Sequence, residues 1–152
     1  MDNLNEQFFG TLSKMSGDKM MFPPPFMEGM GMEVLEHIQG ESVKISIPVK
    51  PIYNNPLGTT FGGYYGVFFD MAFGPFSSLA AKAPTSTLDL NIWFIKSLSP
   101  ADERVLIEAK VVNLSKNYLL LSAEAKNLSG ELVAIATSRT LILDVSRMKS
   151  LT

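Results

Sequence analysis

Apolar and polar positions change their spacing several times along the 152 residues, and those changes divide the chain into elements. Residues 2 to 15 place Leu4, Phe8, Leu12 and Met15 at steps of four and three, which predicts a short amphipathic helix. The run Phe22-Pro23-Pro24-Pro25-Phe26 stops it. From Met32 to Val49 the period drops to two. Val34 opens one run, Gly40-Glu41 marks a turn, and Val43, Ile45, Ile47 and Val49 alternate with other residues, so a hairpin with one buried face is expected. Four more β segments follow, at about 86–96, 103–112, 118–126 and 131–143, separated by turn compositions such as Ser99-Pro100-Ala101-Asp102 and Asn127-Leu128-Ser129-Gly130. Connections this short predict an antiparallel meander.

Between the two β regions, residues 62–82 are apolar on every face of a helix. Such a helix must be buried, here by a sheet wrapped about it, and the result is an α+β arrangement. The length suits one domain over 1–152, with 1–28 as N-terminal helix and proline-rich lead-in and 29–145 as core. Residues 63–81 are also long enough to raise a membrane span. Asp70, Gly66, Gly74 and Pro75 interrupt them and alternating strands flank them, which favours a buried helix. Pro75 removes a hydrogen bond and collides with the carbonyl of Met71, so a kink after Asp70 or an early helix end is expected.

Charge and composition then remove whole classes of function. With 13 basic against 15 acidic residues the net charge is −2, which provides no basic field for nucleic acid. The chain has no cysteine and one histidine, His37, which argues against disulfides, thiolate catalysis and clustered metal ligands; neither a metal nor a cofactor is expected. His37 is read as a strand-surface residue. The opening residues 1–7 lack the basic flank and apolar core of a secretory signal, so a cytoplasmic location is the expectation.

Asp70 is the one charge between Pro56 and Ala81. A lone carboxylate in such surroundings is costly unless it is hydrogen-bonded, and raised basicity at a substrate cleft is one reason to keep it. Capping of a local break, or pairing with a base elsewhere in the chain, would also account for it. Just upstream, Gly62-Gly63 opens the helix, where unpaired N–H groups and the helix dipole favour negative charge and could serve as an oxyanion hole. Glycines needed only for backbone angles would look the same.

The complete pattern resembles the hotdog thioesterases of the phenylacetic-acid-degradation type. That family shows Asn-x-x-Gly-x-x-His-Gly-Gly, six residues, then Asp on its central helix, and Asn55, Gly58, Gly62, Gly63 and Asp70 fall at those spacings. Residues 87–92, followed by Ser99-Pro100-Ala101, resemble the family's strand after the helix and its closing turn. The family histidine is Phe61 in this chain.

The resemblance implies a hotdog fold, an antiparallel sheet wrapped around a long central helix, and an acyl-CoA thioesterase. It also implies a catalytic set of Asp70, Asn55, Gly62 and Thr87, with Gly63 and Phe61 as substrate contacts. Gly62 N–H and the Asn55 side chain would polarise the carbonyl, while Asp70, as general base or nucleophile, and Thr87 would deal with water. Eight helical residues between Gly62 and Asp70 span about 12 Å, too far for one thioester carbon to touch both in one chain. A homodimer with shared active sites is therefore expected, alone or as a tetramer of two dimers.

Alternation along the strand sets Leu88, Leu90, Ile92 and Phe94 on one face and Thr87, Asp89, Asn91 and Trp93 on the other. The many Phe, Tyr and Met residues near Asp70 suit an apolar or aromatic acyl group, and Lys116, Arg139, Arg147 and Lys149 are the cations available for CoA phosphates, none of them assigned. Because of Phe61, the competing expectation is a hotdog protein that binds acyl-CoA or a fatty acyl group without turning it over. A dehydratase would need a histidine paired with an acid, and His37 bears no spacing relation to Asp70.

Overall fold

A computed structural model describes residues 3–17, 20–144 and 146. The chain runs α1 (Leu4–Ser16), α2 (Pro25–Met30), β1 (Glu33–Ile38), β2 (Ser42–Pro48), α3 (Gly62–Ala81), β3 (Thr85–Phe94), β4 (Arg104–Leu114), β5 (Tyr118–Asn127) and β6 (Leu132–Ile142). Asn3 caps α1 by accepting from the Asn5 N–H, leaving Phe8, Phe9 and Leu12 buried on its inner face; Met15 stays exposed. The proline run does more than stop a helix. Pro25 sits at the first position of α2, where its missing N–H costs nothing, and Gly31 ends that short helix in the left-handed conformation.

The six strands form one antiparallel sheet in the order β1-β2-β4-β5-β6-β3. The hairpin β1–β2 turns at Gly40, and Val43, Ile45, Ile47 and Val49 are all buried, as their alternation predicts. Strands β4, β5 and β6 make the expected meander. β3 does not join it at β4: it crosses to the far edge and pairs with β6, so that β2 and β4 become neighbours. The physical reason lies in α3. A helix buried on the sheet separates β2 from β3 by a layer, and β3 returns along the opposite border.

α3 packs on β2, β3, β4, β5 and β6, burying Phe68, Phe69, Phe73, Phe76 and Leu79. Pro75 does not end it early. The helix continues to Ala81 because Pro75 and its neighbours Phe73, Phe76 and Leu79 are buried, and tertiary burial outweighs one missing backbone bond. Ser77 Oγ donates to the Gly74 carbonyl within this stretch. Lys82 closes α3 in the left-handed region, its N–H reaching back to the Leu79 and Ser78 carbonyls. Among the described residues, no helix is long and apolar enough to cross a membrane.

His37 corrects its surface assignment. Its ring lies edge-on to Phe8 of α1 at 5.0 Å and to Phe76 of α3 at 6.2 Å, and its Nε2 is buried with no hydrogen-bond partner among the described residues. Desolvation holds its pKa below the ordinary histidine value.

Candidate active site

The loop that leads into α3 is organised by Asn55. Its Oδ1 accepts from the N–H groups of Leu57 (2.9 Å) and Thr59 (3.2 Å), and its Nδ2 donates to Thr59 Oγ1 (2.9 Å). Gly58 adopts φ +76° at the tip, and a bridge between Asn54 and Thr60 closes the base. Asn55 is thus engaged in its own turn, through Leu57 and Thr59. Phe61 N-caps α3 without a side-chain cap bond, and the residue is 49 % exposed.

Gly62 and Gly63 follow as the first two residues of α3, exposed and without backbone acceptors for their N–H groups among the described residues. These are the unpaired donors that every helix start presents, placed at the positive end of the dipole. The Phe94 ring of β3 lies beside Gly62: a Cβ built there would meet Phe94 Cζ at 3.4 Å.

Two turns along α3, Asp70 faces solvent in the single chain and accepts a hydrogen bond from Thr87 Oγ1 at 3.3 Å. Pairing with a base would have explained the charge otherwise, but the ion pairs among the described residues do not include Asp70. Thr87 also corrects the strict alternation read along β3. Leu90 and Ile92 face α3, within 4 Å of a Cβ built on Gly66 (3.9 and 3.7 Å), yet Thr87 reaches α3 as well. The register slips between Thr87 and Asp89, so Leu88 is an extra, bulged residue that shifts the alternation by one. On the near side of the bulge, Thr85 Oγ1 shares hydrogen bonds with Ser77 (2.6 Å) and Ser78 (2.9 Å), pinning the start of β3 to the end of α3.

The structure brings Asp70 and Thr87 together and leaves Gly62 apart from them, at the other end of the exposed half of α3. Neither Phe94 beside Gly62 nor Thr140, which stands opposite Thr87 on β6, was among the site residues read from the sequence. The first depends on how β3 packs against α3 and the second on β3 pairing with β6, long-range choices for which the local pattern carries no signal. Of the cations considered for CoA phosphates, Arg139 is bonded to Asp89, and that hydrogen bond holds the Asp89 carboxyl below the usual range. Lys116 lies exposed in the β4–β5 turn, and Arg147 and Lys149 lie outside the described residues.

Comparison with known proteins identifies the family and the fold. The thioesterase superfamily pattern matches residues 57–134, just over half of the chain, and the chain belongs to that superfamily. Among solved structures it is similar to a point mutant of the phenylacetic acid degradation protein PaaI from Thermus thermophilus. Identity is 28 %, 79 % of this chain and 100 % of that one are covered, and the TM-score is 0.70. The PaaI protein of E. coli (14 % identity, 93 % and 96 % coverage, TM-score 0.77) and AziG of S. sahachiroi (19 %, 80 % and 98 %, 0.74) share its fold. Comparison with curated proteins gave no match. The fold is the hotdog fold, and thioester hydrolysis is the chemistry of its superfamily.

Proposed function

We propose that the protein is an acyl-CoA thioesterase acting as a homodimer, with Asp70 as the general base or nucleophile. The observation that carries this reading is the Thr87–Asp70 hydrogen bond on an exposed stretch of α3. A carboxylate outside any ion pair and held by one hydroxyl donor can take a proton from water or attack a carbonyl, and Thr87 fixes which oxygen stays free. The Gly62 N–H supplies the oxyanion donor. Asn55 acts through the loop: by holding residues 55–59 in shape it sets the start of α3, and through it the direction of the Gly62 N–H. Gly63 and Phe61 line the approach.

The dimer follows from the separation of the two halves. About 12 Å of helix between Gly62 and Asp70 keeps one thioester carbon from both in one chain. β3 supports the same conclusion, being a ten-residue edge strand that carries exposed Leu88, Trp93 and Phe94, with exposed Ile95 just past its end, the surface that a second β3 would cover. A cytoplasmic site of action and an apolar or aromatic acyl group belong to the same proposal.

Purified protein tested on a panel of acyl-CoA esters with a thiol reagent decides the matter. Wild type should release CoA, and Asp70→Asn should lose at least about 100-fold in kcat. Turnover surviving that substitution unchanged would remove Asp70 from the mechanism. Phe61 favours a second reading, an acyl-CoA binding protein without turnover, because an exposed ring stands where the family has an imidazole. Saturable binding of acyl-CoA with no CoA release would favour that reading.

A further inference from the structure

Thr140 lies on β6 directly opposite Thr87, and directly opposite residues of an antiparallel pair carry their side chains on one face. Thr140 is 1 % exposed, and its Oγ1 has no hydrogen-bond partner among the described residues. Its neighbour on the other side, Leu119 of β5, is buried and apolar. Two polar side chains along the same seam are already committed. Ser138, the preceding inward-facing residue of β6, donates to the Asp89 carbonyl, and Thr85 is taken up by Ser77 and Ser78.

A valine would fill the same volume beside Leu119 without burying an unmatched hydroxyl. The group that the topology sets opposite Thr140 is the Thr87 hydroxyl, whose single proton is given to Asp70 and whose lone pairs remain open.

We propose that Thr140 is a positioning residue for the candidate site. Its hydroxyl donates to Thr87 Oγ1, through a change of its side-chain rotamer or one water between the strands, and so keeps the Thr87 proton directed at Asp70. This rests on the reading of Asp70 and Thr87 as the reacting pair. A hydroxyl that accepts one hydrogen bond becomes a better donor of the next, so the long 3.3 Å contact to Asp70 would gain occupancy. Without Thr140 the Thr87 hydroxyl is free to turn its proton elsewhere.

The test uses the full chain with Thr140→Val and Thr140→Ser, each alone and in a Thr87→Val background. Thr140→Val should lower kcat about fivefold, the worth of one neutral hydrogen bond, with KM unchanged and a melting temperature no lower than wild type. Thr140→Ser should restore the rate, and Thr140→Val should have no further effect once Thr87 is valine. An unchanged kcat, or the same loss in the Thr87→Val background, would overturn the proposal, since the residue would then act through packing or not at all. A crystal structure at atomic resolution provides a reading independent of turnover. Thr140 Oγ1 bonded to Thr87 Oγ1, or sharing a water with it, supports the role; a bond to any other protein acceptor overturns it. If that bond is present and no acyl-CoA is hydrolysed, the thioesterase reading fails while the positioning contact stands.

Discussion

At the scale of single residues, Gly62 offers an unusually clean substitution. As the first residue of α3 it can be replaced by proline, whose fixed φ suits that position, and the preceding Phe61 already has the extended backbone (φ −54°, ψ 137°) that a following proline demands. Gly62→Pro deletes the N–H and brings a Cβ only into ordinary van der Waals contact with the Phe94 ring, so kcat should fall about 10²- to 10³-fold while the melting temperature holds. A rate close to wild type would take the oxyanion role away from Gly62. His37 carries a different expectation. Burial depresses its pKa below 6.5, so as pH falls the unfolded chain takes up a proton that the folded chain refuses. The stability contributed by neutral His37 is complete above that value and is lost as pH drops through it toward the lower folded pKa. Thermal melts should show the difference between wild type and His37→Phe shrinking or reversing from about pH 7.5 to about pH 5 in favour of the variant. A difference that does not vary with pH would show that the ring is not desolvated.

At the scale of elements, two departures from simple periodicity shape the site. The bulge at Leu88 turns Thr87 toward α3, and the passage of α3 through Pro75 keeps the Ser77 and Ser78 hydroxyls within reach of Thr85. In both cases a rule of local geometry yields to the contacts of a whole layer, since the hydroxyl bonds and buried rings at the α3–β3 seam are gained together. The end of α2 shows the opposite, a local requirement that context cannot relax. Gly31 has φ +72°, and a Cβ there would meet Pro48 Cγ at 3.1 Å. Gly31→Ala should therefore cost about 1–2 kcal/mol in a denaturant titration, through left-handed strain and that contact together. A loss of only a few tenths would mean that α2 can shift away from β2 without penalty.

At the scale of the whole molecule, the proposed sharing of the site between two subunits predicts complementation between defective chains. Asp70→Asn removes one half and Gly62→Pro the other. A dimer of the two variants then contains one site with both defects and one with neither. Equal mixing after unfolding and refolding should bring back about a quarter of wild-type activity, since half of the dimers are mixed and each has one intact site. No recovery, in samples shown to contain mixed dimers, would place Gly62 and Asp70 in the same site of one subunit. A lysine at Leu88 or Ile95, on the exposed border of β3, should weaken the dimer in sedimentation and lower activity in step.

Much of this protein could be read along the chain, and the reason is that the relevant signals are local. Strand alternation at Val43–Val49, the all-round apolar helix at 62–81 and the glycine pair at its start are each contained within a few turns or strands, and each appears where its pattern placed it. Asp70 stood out by the same means, as a charge with no apolar excuse. What tertiary structure alone decided concerns partners far apart in sequence. The crossing of β3 to β6, the bulge that aims Thr87 at Asp70, the pairing of Thr140 with Thr87 and the half-burial of His37 against Phe8 and Phe76 all depend on which surfaces meet. Periodicity tells which face of an element is apolar. It does not tell which other element will cover that face, because that choice is made by the summed packing of the entire core.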